Sequence, residues 1–254
     1  MPERRPNRFF PRIACLPLGA ALALAVAPAL ADETKLSFYG MFPAVTYEFQ
    51  NDFEFQDERA DLIEDFELGF SGEFVSTRGD WIYGAELFYA RASGDRDLGF
   101  PIGDGGDEDR ITDVGDSSSV STVVNAFAGY RVYDGDESQI HVVGGLRYAS
   151  IDTDIEVATD TEAFEISQSE ALVDATLGVR VSAHLADGWS LPLNVDVGAG
   201  SSEFTFNMFA GLTYSMGAND FTVGYRKLEW LLDEDDSLKR FQYMGPVIGY
   251  SRRF

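Results

Sequence analysis

The chain has two histidines, His141 and His184, and these are the first residues to consider for chemistry. Ser182 precedes His184 by two positions, so on an extended strand both side chains share one face. A serine beside a histidine base is an arrangement that can activate a hydroxyl nucleophile. No acidic residue is placed to orient the imidazole, and the Ser-x-His spacing is common by chance. We therefore interpret the pair as structural and expect no enzymatic activity.

A second group consists of charged residues that alternate with apolar ones. Its members are Asp65, Glu67, Glu73, Glu86, Arg131, Arg147, Asp174, Arg180, Asp196 and Arg226. Alternation would bring these carboxylates and guanidinium groups to one face of a sheet. In a narrow, poorly hydrated interior they must pair, because an isolated buried charge is costly. The pattern predicts a salt-bridged polar interior, and the alternative is a lining for the passage of a small solute.

The elements that would position these residues are strands with a two-residue period. Phe66, Leu68, Phe70 and Phe74 alternate with polar or small residues, and the same alternation recurs along the chain. The segments with this pattern are residues 36–49, 62–77, 81–89, 119–133, 139–150, 171–186, 191–198, 204–214, 221–231 and 239–254. Ten strands predict an all-β fold. Eight remain an alternative, since Pro43 interrupts the first segment.

The connections between these segments alternate between two kinds. Short turns rich in Gly, Asp and Asn lie at residues 78–80, 134–136, 187–188 and 218–220, where Gly accepts the positive φ of a tight turn. The other connections are mostly longer and acidic. This asymmetry, with an even strand number, predicts a membrane-spanning antiparallel up-and-down β-barrel with short periplasmic turns and long exterior loops. A soluble sandwich or lipocalin-like barrel, with the apolar rows inside, is the alternative.

The last strand places apolar residues on one face and small or polar residues on the other, and the chain ends on Phe254. This strand resembles the carboxy-terminal recognition strand of Gram-negative outer-membrane β-barrels. The resemblance implies that the insertion machinery reads Tyr250 and Phe254. The segments GVR at 178–180, DGW at 187–189, LPLNVDVG at 191–198, GYRKLEW at 224–230 and GP at 245–246 resemble an uncharacterised group of proteobacterial barrel proteins. That resemblance implies a fold and a location, with no activity attached.

The amino-terminal residues predict export. Four arginines precede an apolar run at residues 13–26, and Ala29-Leu30-Ala31 forms a small-x-small cleavage site. We expect residues 1–31 to be a signal peptide cleaved after Ala31, and residues 32–254 to form the barrel in the outer membrane. Cleavage would remove Cys15 together with the four arginines and Glu3, so the net charge would fall from −24 to −27. Nucleic acid is then an improbable partner, because its phosphates would be repelled.

The acidic connections are the remaining candidates for binding. Their carboxylates are Asp104, Asp107, Glu108, Asp109, Asp113, Asp233, Glu234, Asp235 and Asp236. Carboxylates attract hard divalent cations, but the twelve-residue calcium-loop pattern is missing from the sequence. We expect diffuse cations that link the loops to the phosphates of lipopolysaccharide and outer-membrane lipids, and no cofactor. The sequence thus predicts a structural or surface-interaction role, with a narrow channel as the alternative and an outer-membrane enzyme as a remoter one.

Overall fold

The computed structural model describes residues 31–49, 54–56, 68–96, 113–158, 163–233 and 238–254, all of them in strands or short connections. The strands are β1 (Glu33–Met41), β2 (Ala44–Phe49), β3 (Glu54–Gln56), β4 (Leu68–Arg78), β5 (Trp81–Arg96), β6 (Asp113–Asp134), β7 (Ser138–Ala158), β8 (Ala163–Ala186), β9 (Trp189–Gly200), β10 (Phe204–Met216), β11 (Asn219–Leu231) and β12 (Leu238–Arg253). Within these ranges the chain has no helix long and apolar enough to cross a membrane. The expected signal peptide, except Ala31, lies outside the described residues.

The sheet closes on itself through β12. Its carboxy-terminal half pairs with β1, and its amino-terminal half pairs with β2. Between these two strands, the amide of Phe42 still donates to the carbonyl oxygen of Pro246 at 3.1 Å, whereas Pro43 has no N–H to give. β1 and β2 therefore together occupy one strand position of the barrel wall. At the next position β4 pairs with β1, and β3 pairs with β2.

With the eight strands from β5 to β12, the wall has ten positions, and every pairing is antiparallel. The predicted closed up-and-down barrel of ten strands is confirmed, and the eight-strand alternative is wrong because both halves of the segment around Pro43 pair. Three strands extend further than predicted at the end of the barrel that carries the long connections. β6, β7 and β8 are 22, 21 and 24 residues long, so their paired backbone continues into residues expected to be loops.

The two ends of the barrel differ in their connections. At one end, which we call the tight-turn end, adjacent strands join at residues 79–80, 135–137, 187–188 and 217–218. Gly79, Gly188 and Gly217 have φ of 56°, 86° and 62°, a region that costs glycine little. The other end carries the longer connections and one short one at residues 201–203, between β9 and β10.

Alternation decides which side chains face out. Outward positions carry apolar residues with large exposed fractions, such as Leu146 at 60% and Leu177 at 62%, and they form an apolar belt around the wall. Near the tight-turn end this belt is aromatic. Trp81 packs against Tyr130 with ring centroids 5.2 Å apart, and Trp189 packs against Tyr214 at 4.8 Å. The inward positions in the middle of the wall are buried or half-buried and hold two kinds of side chain, polar and apolar, which form separate layers.

Candidate functional site

The polar layer of the interior is a closed ring of six side chains. Its members come from six strands and are Glu86 (β5), Asn125 (β6), Arg147 (β7), Asp196 (β9), Asn207 (β10) and Arg226 (β11). Each occupies an inward position because its strand neighbours carry the apolar belt outward. Glu86 and Arg226 are brought together from strands on different sides of the barrel, so the ring crosses the lumen.

Arg147 anchors one half of the ring. Its Nε donates to Asn125 Oδ1 at 2.8 Å, its Nη1 donates to Thr205 Oγ1 at 2.7 Å, and its Nη2 forms an ion pair with Asp196. Arg147 as a whole residue is 1% exposed. A guanidinium group so deeply buried is stable only when its donors are matched, and here every nitrogen has a partner.

Arg226 anchors the other half in the same way. Its Nη1 and Nη2 bind both carboxylate oxygens of Glu86, the second at 2.9 Å, and its Nε donates to Asn207 Oδ1 at 3.1 Å. The amide groups then join the two halves. Asn207 Nδ2 donates to Asp196 at 2.7 Å, and Asn125 Nδ2 donates to Glu86 at 3.0 Å. Two cations and two anions make the ring neutral overall.

A second ion pair lies beside the ring. Arg180 Nη2 binds Glu73 Oε1 at 2.6 Å, and its guanidinium carbon lies 3.9 Å from the centre of the Phe127 ring. The Phe127 ring lies against Gly84 on the neighbouring strand, where a Cβ atom would overlap it. Glycine at that position leaves room for the aromatic surface on which Arg180 rests.

An apolar layer lies next to the ring, toward the end with the long connections. Two residues beyond Glu86 is Phe88, two beyond Arg226 is Leu228, and these pack with Trp230, Phe241 and Tyr243. All five side chains are at most 1% exposed. Phe88 meets Tyr243 edge-on at 5.3 Å, and Phe241 meets Tyr243 at 4.8 Å. Large aromatic rings thus fill the lumen at this level, next to the salt-bridged polar layer that the sequence predicted.

A cavity of about 30 Å³ lies between the ring and the ion pair of Arg180 with Glu73. Its lining includes Tyr39, Glu73, Glu86, Arg180 and Arg226, together with apolar side chains. This volume has room for about two water molecules, which the polar lining can bind.

Charged residues also pair near the tight-turn end. Asp220 accepts from Arg253 at 3.2 Å and lies 3.6 Å from Lys35, which ties together three neighbouring strands. Arg131 binds Asp80 Oδ1 through Nη2 at 2.6 Å. The hydrogen bonds from Arg131 and Tyr130 lower the pKa of Asp80, a turn residue, below its usual range.

The predicted network residues do not all lie in the ring. Glu86, Arg147, Asp196 and Arg226 belong to it, and Glu73 pairs with Arg180. Arg131 pairs instead with Asp80 and Asp134 at the turns. Asp174 is fully buried and forms no ion pair with described residues. Its Oδ1 instead accepts a hydrogen bond from the amide of Ser202 at 2.9 Å. That bond supports the short β9–β10 connection. Asp65 and Glu67 lie outside the described residues.

The sequence did not single out the neutral members of the site. Asn125, Asn207 and Thr205 connect the charged residues, and each stands at an inward position of its strand. Their inward positions could have predicted this role, because a polar side chain that faces inward beside buried charges needs hydrogen-bond partners.

The remaining residues that the sequence singled out lie outside the ring. Ser182 and His184 share a face of β8, but the structure joins them by no hydrogen bond, and His184 is exposed near the tight-turn end. Tyr250 and Phe254 point outward at the end of β12, 38% and 69% exposed, and Tyr250 donates to Asn219 Oδ1 at 2.8 Å. The described residues contain no cluster of acidic or histidine side chains that could hold a metal ion.

The apolar belt ends in a polar cluster on β11 and β12. Glu229 accepts from Lys227 Nζ at 2.7 Å and from Arg240 Nε at 2.6 Å, and Arg240 also donates to Gln242. These four residues lie at outward positions, beyond the exposed residues Tyr225 and Pro246 of the same strands, and Glu229 and Gln242 are themselves buried within the cluster. The cluster therefore marks the height at which the outer surface of the wall changes from apolar to charged.

Comparisons with known proteins agree with the barrel. The translocator domain of the autotransporter NalP from Neisseria meningitidis superposes with a TM-score of 0.51 over 93% of this chain and 95% of its own, at 14% identity. The attachment invasion locus protein Ail of Yersinia pestis matches with a TM-score of 0.41 over 87% of this chain and 98% of its own, at 10% identity. No protein-family model and no curated protein sequence matches the chain. The similarity to NalP shows the fold.

Proposed function

We propose that the protein is an outer-membrane β-barrel with a filled lumen and a structural or surface-interaction role, and that it is not an enzyme. The apolar belt supports a membrane location, because exposed side chains such as Leu146 and Leu177 surround the wall and would be unfavourable in water. The aromatic residues at the tight-turn end match the interfacial girdle of such barrels.

The expected export signals fit this location. We propose that residues 1–31 direct secretion, that the insertion machinery reads Tyr250 and Phe254, and that the chain belongs with the proteobacterial barrels its sequence resembles. Outer-membrane lipids and lipopolysaccharide would then surround the belt. Diffuse divalent cations would link their phosphates to the acidic connections, whose carboxylates attract such ions.

The observation that carries the proposal is the filling of the lumen by two successive layers. The ring ties six strands together across the bore, and the aromatic layer beyond it buries Phe88, Phe241 and Tyr243 almost completely. A solute would have to displace both paired charges and packed rings, each at a cost in free energy. This arrangement favours a rigid barrel over a transport path.

Single-channel recording in planar bilayers tests the proposal. We expect the wild-type barrel to insert and to give no conductance steps. As a control for insertion, the variant that combines Phe88→Ser and Tyr243→Ser with Glu86→Ser and Arg226→Ser removes side chains from both layers, and we expect it to conduct. Regular steps from the wild-type protein would contradict the filled lumen.

The cavity beside Arg180 and Arg226 is the observation that favours the second candidate, a narrow channel. If that candidate were correct, wild-type steps would appear, and their ion selectivity would change when Arg180 is replaced by Gln. Silent wild-type barrels, together with conduction by the variant opened in both layers, exclude the channel.

A further inference from the structure

β8 extends well beyond its neighbour β9. On one side it pairs with β7 as far as the pair Ala158 and Ala163. On the other side its pairing with β9 starts only at Asp174, opposite Gly200, and the amide of Ser201 closes this ladder by donating to the oxygen of Val173 at 2.9 Å. Among the residues that the structure describes, 163–169 therefore have no strand partner on the β9 side. We call these residues the free edge.

The free edge presents backbone groups in a regular row. The oxygen of Val173 points toward β9, and the backbone groups of a strand alternate between its two sides. The N–H and C=O groups of Ala163, Glu165, Ser167 and Ser169 therefore point to the unpaired side, while the residues between them pair with β7. At ~3.3 Å per residue the row is roughly 23 Å long, enough for a peptide of about seven residues.

The free edge lies beyond the apolar belt. Val173, at the top of the belt on β8, is half exposed, and above it the outward positions carry the small residue Ala171 and then the polar residue Ser169. Ser169 donates to Asp152 on β7 at 2.6 Å, and both residues are exposed. Unpaired backbone groups are excluded from hydrocarbon but are stable in water, where a peptide can replace the bound water.

Two features of the sequence indicate what such a peptide would be. Natural edge strands are usually protected by Lys or Pro, and residues 163–169 contain neither. The paired segments 151–158 and 163–169 contain four acidic residues and no Lys or Arg. With a mature net charge of −27, a second copy of this chain would be repelled, whereas a cationic strand would be attracted.

We propose that the free edge of β8 binds an extended peptide segment, rich in Lys or Arg, of another protein by β-strand addition. The inference rests on the surface role proposed above, and it names the class of partner. Backbone hydrogen bonds to residues 163–169 would supply the alignment, and the acidic segments would supply the preference for positive charge.

Binding of synthetic peptides to the mature barrel in detergent micelles tests this. The first probe alternates Lys with Val, and the second has the same charge but Pro in place of Val, so it cannot form a strand. We expect the first probe to bind at least about tenfold more tightly. Ser167→Pro removes an edge N–H while leaving the β7 pairing intact, and we expect it to weaken binding of the first probe by about tenfold. Ser167→Ala is the matched control and should bind as the wild type does.

Migration of unheated samples on gels verifies that each variant still forms the barrel. Equal binding of the two probes would show attraction by charge alone and overturn the proposal, as would full affinity in Ser167→Pro. A wild-type dimer that dissociates in Ser167→Pro would overturn it in favour of a second copy. The filled lumen is tested separately by bilayer recording. If the wild-type barrel gives no conductance steps and the peptide fails to bind, the proposal of a peptide partner is wrong but the proposal of a filled lumen stands.

Discussion

Arg147 and Arg226 each donate from all three guanidinium nitrogens, and each has one carboxylate and one amide among its partners. This complete matching explains how four charges are tolerated inside a narrow barrel. Removing one charge would leave its partner buried and unpaired, which costs far more than the pair contributes. The stability of the ring therefore depends on its members jointly.

Arg226→Met tests this dependence. The variant leaves Glu86 buried without its cation, and we expect the free energy of unfolding to fall by about 3–5 kcal/mol. Adding Glu86→Gln removes the uncompensated charge and should restore much of the loss. Urea titrations in detergent, followed by tryptophan fluorescence, measure both variants. A fall as large in the double variant as in the single one would show that packing, and not charge pairing, explains the result.

Asp80 provides a pH-dependent test outside the membrane-spanning part. The hydrogen bond from Arg131 lowers the pKa of its carboxyl group in the folded state. Its contribution to stability is therefore complete above the unfolded-state pKa and is lost as the pH falls through the lowered folded-state pKa. We expect NMR titration to give Asp80 a pKa below the usual aspartate range, and Arg131→Gln to raise it. The effect on unfolding is small, because the pair is exposed. An unchanged pKa in the variant would exclude Arg131 as the cause.

At the scale of the strands, alternation is what made the fold predictable. A two-residue period places Leu146 and Arg147 on opposite faces of β7 from the sequence alone, and the burial of Arg147 shows that Leu146 is the residue that faces outward. Alternation does not mark where a strand stops. Residues 151–158 and 163–170 have a loop-like composition but extend the β7–β8 hairpin, because a partner strand in register can override local composition.

The content of the lumen was only partly predictable for a similar reason. Charged residues at inward positions predicted ion pairs, but which of these residues pair depends on distances across the barrel. The sequence could not reveal that Glu86 meets Arg226, 140 positions away. The apolar layer was missed because inward aromatic residues such as Phe88 and Tyr243 come from strands distant in sequence, so their association appears only when the barrel closes.

The junction of β1 and β2 yields a prediction at this scale. A Cβ atom on Gly245 would overlap the oxygen of Phe42 and lie 3.0 Å from the Cα of Pro43. Gly245→Ala therefore forces this wall strand away from β12, and we expect a loss of about 1–3 kcal/mol in the free energy of unfolding.

Gly40→Ala is the matched control for Gly245→Ala. It lies on β1 close to the same junction, where the nearest atom to a new Cβ is a side-chain carbon of Ile248 at 3.8 Å. Urea unfolding of both variants, with gel migration of unheated samples, provides the measurement. Equal stability of the two variants would show that the backbone at Phe42 moves freely and that the close approach is unimportant.

At the scale of the whole molecule, the barrel has two chemically different ends and a belt between them. The tight-turn end carries both described termini of the wall and the aromatic pairs of Trp81 with Tyr130 and Trp189 with Tyr214. The other end carries the tall β7–β8 hairpin and the acidic connections. Outer-membrane barrels have short periplasmic turns, so in the proposed location this polarity would set the orientation of the chain. The free edge of β8 would then face the cell exterior.

Cysteine labelling of intact cells tests this orientation and the membrane location together. The mature chain would contain no cysteine after loss of Cys15, so single variants report one position each. We expect a membrane-impermeant maleimide to label Asp152→Cys, which lies beyond the belt at the hairpin end. Asp136→Cys, in a tight turn, should react only after the outer membrane is permeabilised. Leu177→Cys, within the belt, should stay unlabelled in both conditions because hydrocarbon covers it. Rapid labelling of Leu177→Cys in intact cells would mean that water surrounds the apolar belt, and the barrel could not then be a membrane protein.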